Sequence, residues 1–282
     1  MNTVSRRVLS LALCCLSLGL PLLAHSAAAD PALLEAIASS HRDAKFVARD
    51  GARHPAEELA FFGLTPQMTV VELSPGGGYW TEILGPYLAP HGTYYVALPA
   101  GPNDQAPSTL DRWRQRIASE PARYGNPTLS TLGRGHDLAP EGSADLVLTF
   151  RNIHNWMGDG QIDAVLHAIY RTLKPGGILG VEEHRGRNDR PQDPKGDNGY
   201  VRQDYMIALA KQAGFELVAS SELLANPKDT KDWPDGVWTL PPTLSRGDVD
   251  RDTYIAIGEA DNFLLKFRKP AHPKARRGHH TP

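Results

Sequence analysis

Cysteine is almost missing from this chain: its 282 residues hold two, Cys14 and Cys15, adjacent in an opening apolar run. Past that run no disulfide, thiolate metal site or cysteine nucleophile can be built, so what folds there stands on its packed core alone. Long apolar runs are scarce as well. Beyond residue 30 none approaches the twenty or so residues that a membrane-crossing helix requires, so the mature chain is read as having no membrane span. Charge of one sign is not in excess, at a formal net −2. Six basic residues and no acid follow from Lys266 onward, which leaves the rest of the chain acidic and argues against a nucleic-acid partner.

What is present begins with a leader. "MNTVSRR" is basic, "VLSLALCCLSLGLPLLA" is apolar and interrupted by Pro21, and Ala27 and Ala29 supply small residues before Asp30. This is the pattern of a cleaved secretory signal over residues 1–29, and it predicts a periplasmic protein. Arg6 and Arg7 are similar to the pair in twin-arginine export signals. Residues 30–68 read as N-terminal helices, with Pro55 and two acids in "HPAEEL" where a helix start prefers them. The main domain spans 69–269, and 270–282 read as a disordered basic tail.

Within the main domain, short apolar runs of strand type alternate with amphipathic helical stretches. "MTVVELS", "GTYYVAL", "NPTLSTLG", "ADLVLTF", "ILGVEEH", "FELVASSEL" and "NFLLKFRK" are the strands; "YWTEILGPYL", "STLDRWRQRIASE", "GQIDAVLHAIYRTL" and "YVRQDYMIALAKQAG" are the helices. Ser108 and Asp111 form a capping pair for the second of these helices. The alternation predicts an α/β fold, doubly wound, with a mostly parallel sheet. Two segments break the beat. "RGRNDRPQDPKGDNG" has the composition of a flexible loop, and an insertion over 225–260 carries Trp233, Trp238 and Tyr254, too much apolar surface to leave in water.

The stretch "VVELSPGGGYW" places an acid, Glu72, before three consecutive glycines, Gly76, Gly77 and Gly78, between a first strand and a helix. Glycines there permit a tight turn and a close approach of a ligand to the backbone. Their spacing is not the G-x-G-x-x-G of nicotinamide enzymes. With "GHDLAPEGSADLVLTFRNIHNW" and "LKPGGILGVEEH" following in that order, the chain resembles the class I S-adenosylmethionine-dependent methyltransferases, from about Thr69 to Lys269. "ELSPGGGYWTEIL" with the late "GVWTLPP" is similar to a group of exported bacterial members.

The resemblance implies a Rossmann-like sheet of seven strands with the last antiparallel, S-adenosylmethionine as cofactor, and a small-molecule or exported-protein methyl acceptor. It implies that Glu72, Ser74, Gly76, Gly77, Gly78, Asp137 and Asn152 surround the cofactor, with Asp137 toward the adenine and Asn152 near the sulfur. The sequence departs from the family at Ser74 and Pro75, which stand where the family usually has a glycine and a free position. It departs again in "YYVALPAG", which lacks the carboxylate that usually holds the ribose hydroxyls. That absence keeps open a second reading, a noncatalytic ligand-binding protein on the same fold.

Methyl transfer from a sulfonium requires alignment first, and a base only where the acceptor must lose a proton. Strand ends on the carboxyl side of the sheet offer His154 in "RNIHNWM" and His184 in "VEEHR" as acid/base candidates. Arg151 and Arg185 could hold an anionic acceptor or pair with Glu182 and Glu183, and the pairing is favoured. Tyr170 and Lys174 have the spacing of a short-chain dehydrogenase pair but fall at the wrong end of the sheet.

Overall fold

The structure is a computed structural model that describes residues 30–99, 108–133 and 137–271; the leader and most of the basic tail lie outside these. Four short helices, α1 (Pro31–Ile37), α2 (Ala44–Val47), α3 (Asp50–Arg53) and α4 (Pro55–Phe62), precede β1 (Thr69–Leu73). Then come α5 (Thr81–Leu88), β2 (Thr93–Pro99), α6 (Thr109–Ser119), α7 (Pro121–Tyr124) and β3 (Thr128–Leu132). The second half holds β4 (Ala144–Phe150), α8 (Ile153–Gly158), α9 (Ile162–Thr172), β5 (Leu173–His184), α10 (Gln203–Gln212), β6 (Glu216–Ser221), α11 (Arg251–Ile257) and β7 (Asn262–Arg268).

Local chemistry sets several of these boundaries. The Asp30 carboxylate accepts from the Ala32 amide at the start of α1, and Pro31 and Pro55 each stand in a first turn, where a missing N–H costs nothing. Ser108 and Asp111 close the capping box read from the sequence. β5 starts at Leu173, before the "KPGG" turn, because Ala144 pairs with Leu173 and the register then slips so that Leu146 meets Ile178. The four residues between are accommodated as a bulge with Gly176 at φ +84°. The short helices α7, α8 and α11 have too few turns for an apolar period to announce them.

The seven strands lie in the order β3-β2-β1-β4-β5-β7-β6, with β7 antiparallel to both its neighbours. This is the doubly wound, Rossmann-like sheet expected. One face packs against α8, α9 and α10 through Ile153, Leu166, Ile169 and Met206; the other packs against α1, α4, α5 and α6 through Leu33, Leu59, Ile83 and Ile117. β1 and β4 are read as continuous apolar runs because both their faces are covered. The chain fills the sheet outward from β1 in one direction, then from β4 in the other, so a crevice opens between the carboxyl ends of β1 and β4.

The insertion builds a small core of its own. Val237, Leu240, Tyr254 and Ala260 gather around Tyr200, with Trp233 and Trp238 against them. The Asp229 carboxylate accepts from Tyr200 Oη, Trp233 Nε1 and the Asp261 amide, tying the insertion to the start of β7.

One contact sets how closely the glycine loop's helix sits on its neighbour. A Cβ on Gly85 would lie 2.1 Å from the Tyr124 carbonyl oxygen, so α5 and α7 touch backbone to backbone. Gly85→Ala must push them apart and is expected to destabilise the chain by about 3 kcal/mol. Urea unfolding monitored by tryptophan fluorescence measures it, and a loss under about 1 kcal/mol would show that the contact relaxes freely.

Candidate active site

At the crevice between β1 and β4 lies a cleft of about 300 Å³. Its floor is the β1–α5 loop, one wall is the β4 and β5 ends, another is α2 and α3, and Trp238, Pro241 and Pro242 of the insertion close the top. Glu72, Ser74, Gly76, Gly77, Asn152, His154 and His184 all line it, so seven of the nine residues singled out from the sequence meet in one place.

Glu72 is buried, and its Oε2 accepts from the hydroxyls of Thr81 and Tyr94 rather than from loop amides. Oε1 has no partner among the described residues. Burial pushes this carboxyl up to about 7, against the pull of the two hydroxyl donors. Ser74 holds φ +48° and leaves its Oγ buried without a partner among the described residues. Such atoms forfeit their hydration and gain nothing in return unless a ligand supplies the missing bond.

The three glycines do different work. Gly76 has φ +58° and no atom within 4 Å of where a Cβ would point, so it is bare main chain facing the cleft. A Cβ on Gly77 would meet the Phe46 ring at 3.1 Å, and one on Gly78 would meet Trp113 at 3.0 Å. Gly78 thus lies beneath α6 and off the cleft wall. Asn152, between β4 and α8, donates through Nδ2 to the carbonyls of Leu73 and Ser74 and to Thr149 Oγ1, fixing the β1 loop to the β4 end.

Both histidines are oriented from behind. His154 Nδ1 lies 3.0 Å from Glu183 Oε1, and His184 Nδ1 lies 2.7 Å from Asn262 Oδ1. Asn262 is turned in its place by donating Nδ2 to Glu182, so its oxygen faces the ring, and the proton of neutral His184 belongs on Nδ1. The ring centroids stand 5.6 Å apart, and both residues line the cleft. Burial drives His184 down to about 3, so it is a neutral imidazole at ordinary pH. Glu183 is buried too, yet His154, His184 and the amides of Ile153, His154 and His184 outweigh that burial and hold its carboxyl below the usual range.

Other expectations fare differently. Arg151 pairs with Glu182 at 3.7 Å, but also with Glu259 at 3.2 Å. Arg185 does not pair with Glu183; it reaches Glu222 and Asp261, because Glu183 points inward to the histidines. Asp137 is exposed and does not line the cleft; residues 100–107 and 134–136 lie outside the described residues. Lys174 pairs with Asp145, and Tyr170 packs on Phe215, both away from the cleft. The "RGRNDRPQDPKGDNG" segment is pinned by Arg187 to Asp189 and Asp232, and its Gly196 sits against His154.

Sequence reading missed Phe46, Arg49 and Arg53 from the N-terminal helices and Glu259 from the insertion, whereas Trp238, marked there as needing cover, does line the cleft. The arginines had a signal: two, four residues apart, ahead of a helix-starting proline.

Comparison with known proteins matches residues 71–181 to a family described as a methyltransferase domain. The chain is 33% identical over 135 residues to an uncharacterized methyltransferase of Synechocystis, a match covering 48% of this chain and 54% of that protein. The chain thus spans about half the length of that curated relative. A SAM-dependent methyltransferase of Aquifex aeolicus has the same fold at 14% identity, with TM-score 0.52 over 78% of this chain and 92% of that one. The [4+2]-cyclase SpnF superposes as well, with TM-score 0.52 and 15% identity over 85% and 92% of the two chains. The domain therefore has the class I S-adenosylmethionine-dependent methyltransferase fold.

Because Glu72 titrates higher in the fold than its ordinary 4.5, the stability it contributes is whole below about 4.5 and is lost as pH rises through about 7. Glu72→Gln removes that dependence. Relative to the native chain, the variant is expected to gain about 2–3 kcal/mol between pH 4.5 and pH 8. Urea midpoints at the two pH values give the difference, and parallel curves would mean that Glu72 is ionised throughout.

Proposed function

We propose that the chain is an exported S-adenosylmethionine-dependent methyltransferase whose acceptor is a small molecule or an exported protein. The observation that carries this reading is the open glycine loop at the strand-order reversal, bordered by two buried polar atoms without partners among the described residues, Glu72 Oε1 and Ser74 Oγ. The cofactor's methionine end carries an ammonium and a carboxylate, and Glu72 and Ser74 suit the ammonium, as a carboxylate and a hydroxyl acceptor. Gly76 admits the close approach that a larger residue would block. Glu72, Ser74, Gly76 and Gly77 would hold the cofactor, with Asn152 keeping their loop in position. Bound there, S-adenosylmethionine supplies a methyl group made electrophilic by a sulfonium.

His184 and His154 would serve the acceptor. His154, held at Nδ1 by Glu183, is the base candidate, whereas His184, which burial keeps neutral, would orient the acceptor by a hydrogen bond. The insertion's Trp238, Pro241 and Pro242 limit water there. Export is supported by the composition of residues 1–29.

A second reading, binding without turnover, is favoured by one observation: β2 ends in Ala97, Leu98 and Pro99, with no carboxylate for a ribose. Transfer of labelled methyl from S-adenosylmethionine to any cell-envelope fraction separates the two.

Isothermal titration with S-adenosylhomocysteine is expected to show one-site binding, weakened tenfold or more by Gly76→Val, which places a branched side chain in the cleft and strains a left-handed backbone. Binding unaffected by Gly76→Val would move the cofactor elsewhere. Expressed in a bacterium with an outer membrane, the chain is expected in the periplasmic fraction with Asp30 as its first residue; mass spectrometry of that fraction decides it.

A further inference from the structure

The cleft holds a second feature that the cofactor loop does not explain. Arg53, at the end of α3, is 2% exposed and is among the largest fully buried side chains of the described residues. It lines the cleft, yet its Nε and Nη2 have no hydrogen-bond partner among the described residues. Its guanidinium lies 4.4 Å from the centre of the Tyr79 ring. The nearest carboxylate is Glu259, at 3.5 Å from Nε. That carboxylate is already engaged by Arg49, which donates to both oxygens at 2.6 and 2.7 Å, and by Arg151 at 3.2 Å.

Three guanidiniums therefore share one carboxylate at the side of the cleft nearest the insertion. A desolvated guanidinium with unmet donors is among the costliest groups a fold can hold, and its planar fork matches an anionic oxygen group. Of the two glutamates on the cleft wall, Glu72 and Glu259, burial keeps Glu72 only partly ionised near pH 7. Arg151 also faces Glu182, which burial keeps partly protonated, so the three guanidiniums still outnumber the carboxylates that face them. The cofactor read into this cleft has a net positive charge, its sulfonium and ammonium outweighing its carboxylate, so it does not relieve the excess, and an anionic second ligand would.

We propose that the methyl acceptor is an anionic molecule, carrying a carboxylate or phosphate oxygen group that docks on Arg53 with Arg49 and Arg151 around it. This rests on the methyltransferase reading for the word acceptor, but the anion site stands on Arg53 itself. Arg53 is a binding residue that selects the acceptor by charge, and His154 is left to handle its proton.

The test titrates the chain, saturated with S-adenosylhomocysteine, with benzoate, phenyl phosphate and the uncharged benzamide. Benzoate or phenyl phosphate is expected to bind at least tenfold more tightly than benzamide, and the better of the two identifies the group. Arg53→Met is expected to erase that preference while leaving S-adenosylhomocysteine affinity within about threefold. Arg53→Lys should keep part of it. Arg53→Met should also melt at or above the native temperature, because it replaces an unsatisfied buried charge with an apolar side chain; this shows that loss of binding is not loss of fold. Equal binding of benzamide, or a preference that survives Arg53→Met, overturns the proposal. So does a loss of S-adenosylhomocysteine affinity as large as the loss for the anion, which would assign Arg53 to the cofactor. If S-adenosylhomocysteine fails to bind the native chain while the anion preference persists, the methyltransferase reading falls and the anion site stands.

Discussion

The site depends on one joint, the amide of Asn152 donating to the main-chain carbonyls at the end of β1. β1 and β4 are parallel neighbours at which the strand order reverses, and the helices that follow them leave to opposite faces of the sheet. Two loops that diverge in this way would open a gap whose shape varied with every fluctuation. Asn152 spans it with a side chain that is nine-tenths buried, where a hydrogen bond is worth more than at the surface. The glycine loop on one side and the histidine helix on the other therefore keep a fixed separation.

A second layer holds the chemistry in place. Glu183 gathers the His154 ring and three backbone amides from two different strand ends, while Glu182 fixes Asn262, which in turn fixes His184. Adjacent residues on a strand point to opposite faces, so consecutive glutamates can serve separate clients. Glu183 remains a carboxylate because its partners outweigh burial. Glu182 is pushed up to about 7, burial prevailing over the pull of Arg151.

The unmet groups are as informative as the met ones. Most buried polar atoms in a folded chain find a partner; among the described residues, those that do not include Glu72 Oε1, Ser74 Oγ, Trp80 Nε1, and Arg53 Nε and Nη2 at the cleft, with Arg42 Nε, both Glu58 oxygens and Glu182 Oε2 away from it. The five at the cleft leave it lined with both acceptors and donors that lack partners among the described residues, beside Trp238, Pro241 and Pro242 of the insertion.

Much of this was written in the sequence. Alternating apolar runs such as "ADLVLTF" and the amphipathic "GQIDAVLHAIYRTL" specify strand and helix locally, because burial on two faces or on one imposes a period that can be counted. Glu72 and the glycines marked the loop, and strand ends marked the histidines. Tertiary structure alone decided the rest. Which way Glu183 points, that Gly78 serves α6 rather than a ligand, that Arg185 turns to Asp261, and that arginines from the first helices reach the same cleft as Glu259, more than two hundred residues away, are consequences of packing. Periodicity reports which face of an element is buried; it carries no record of what that face will be buried against.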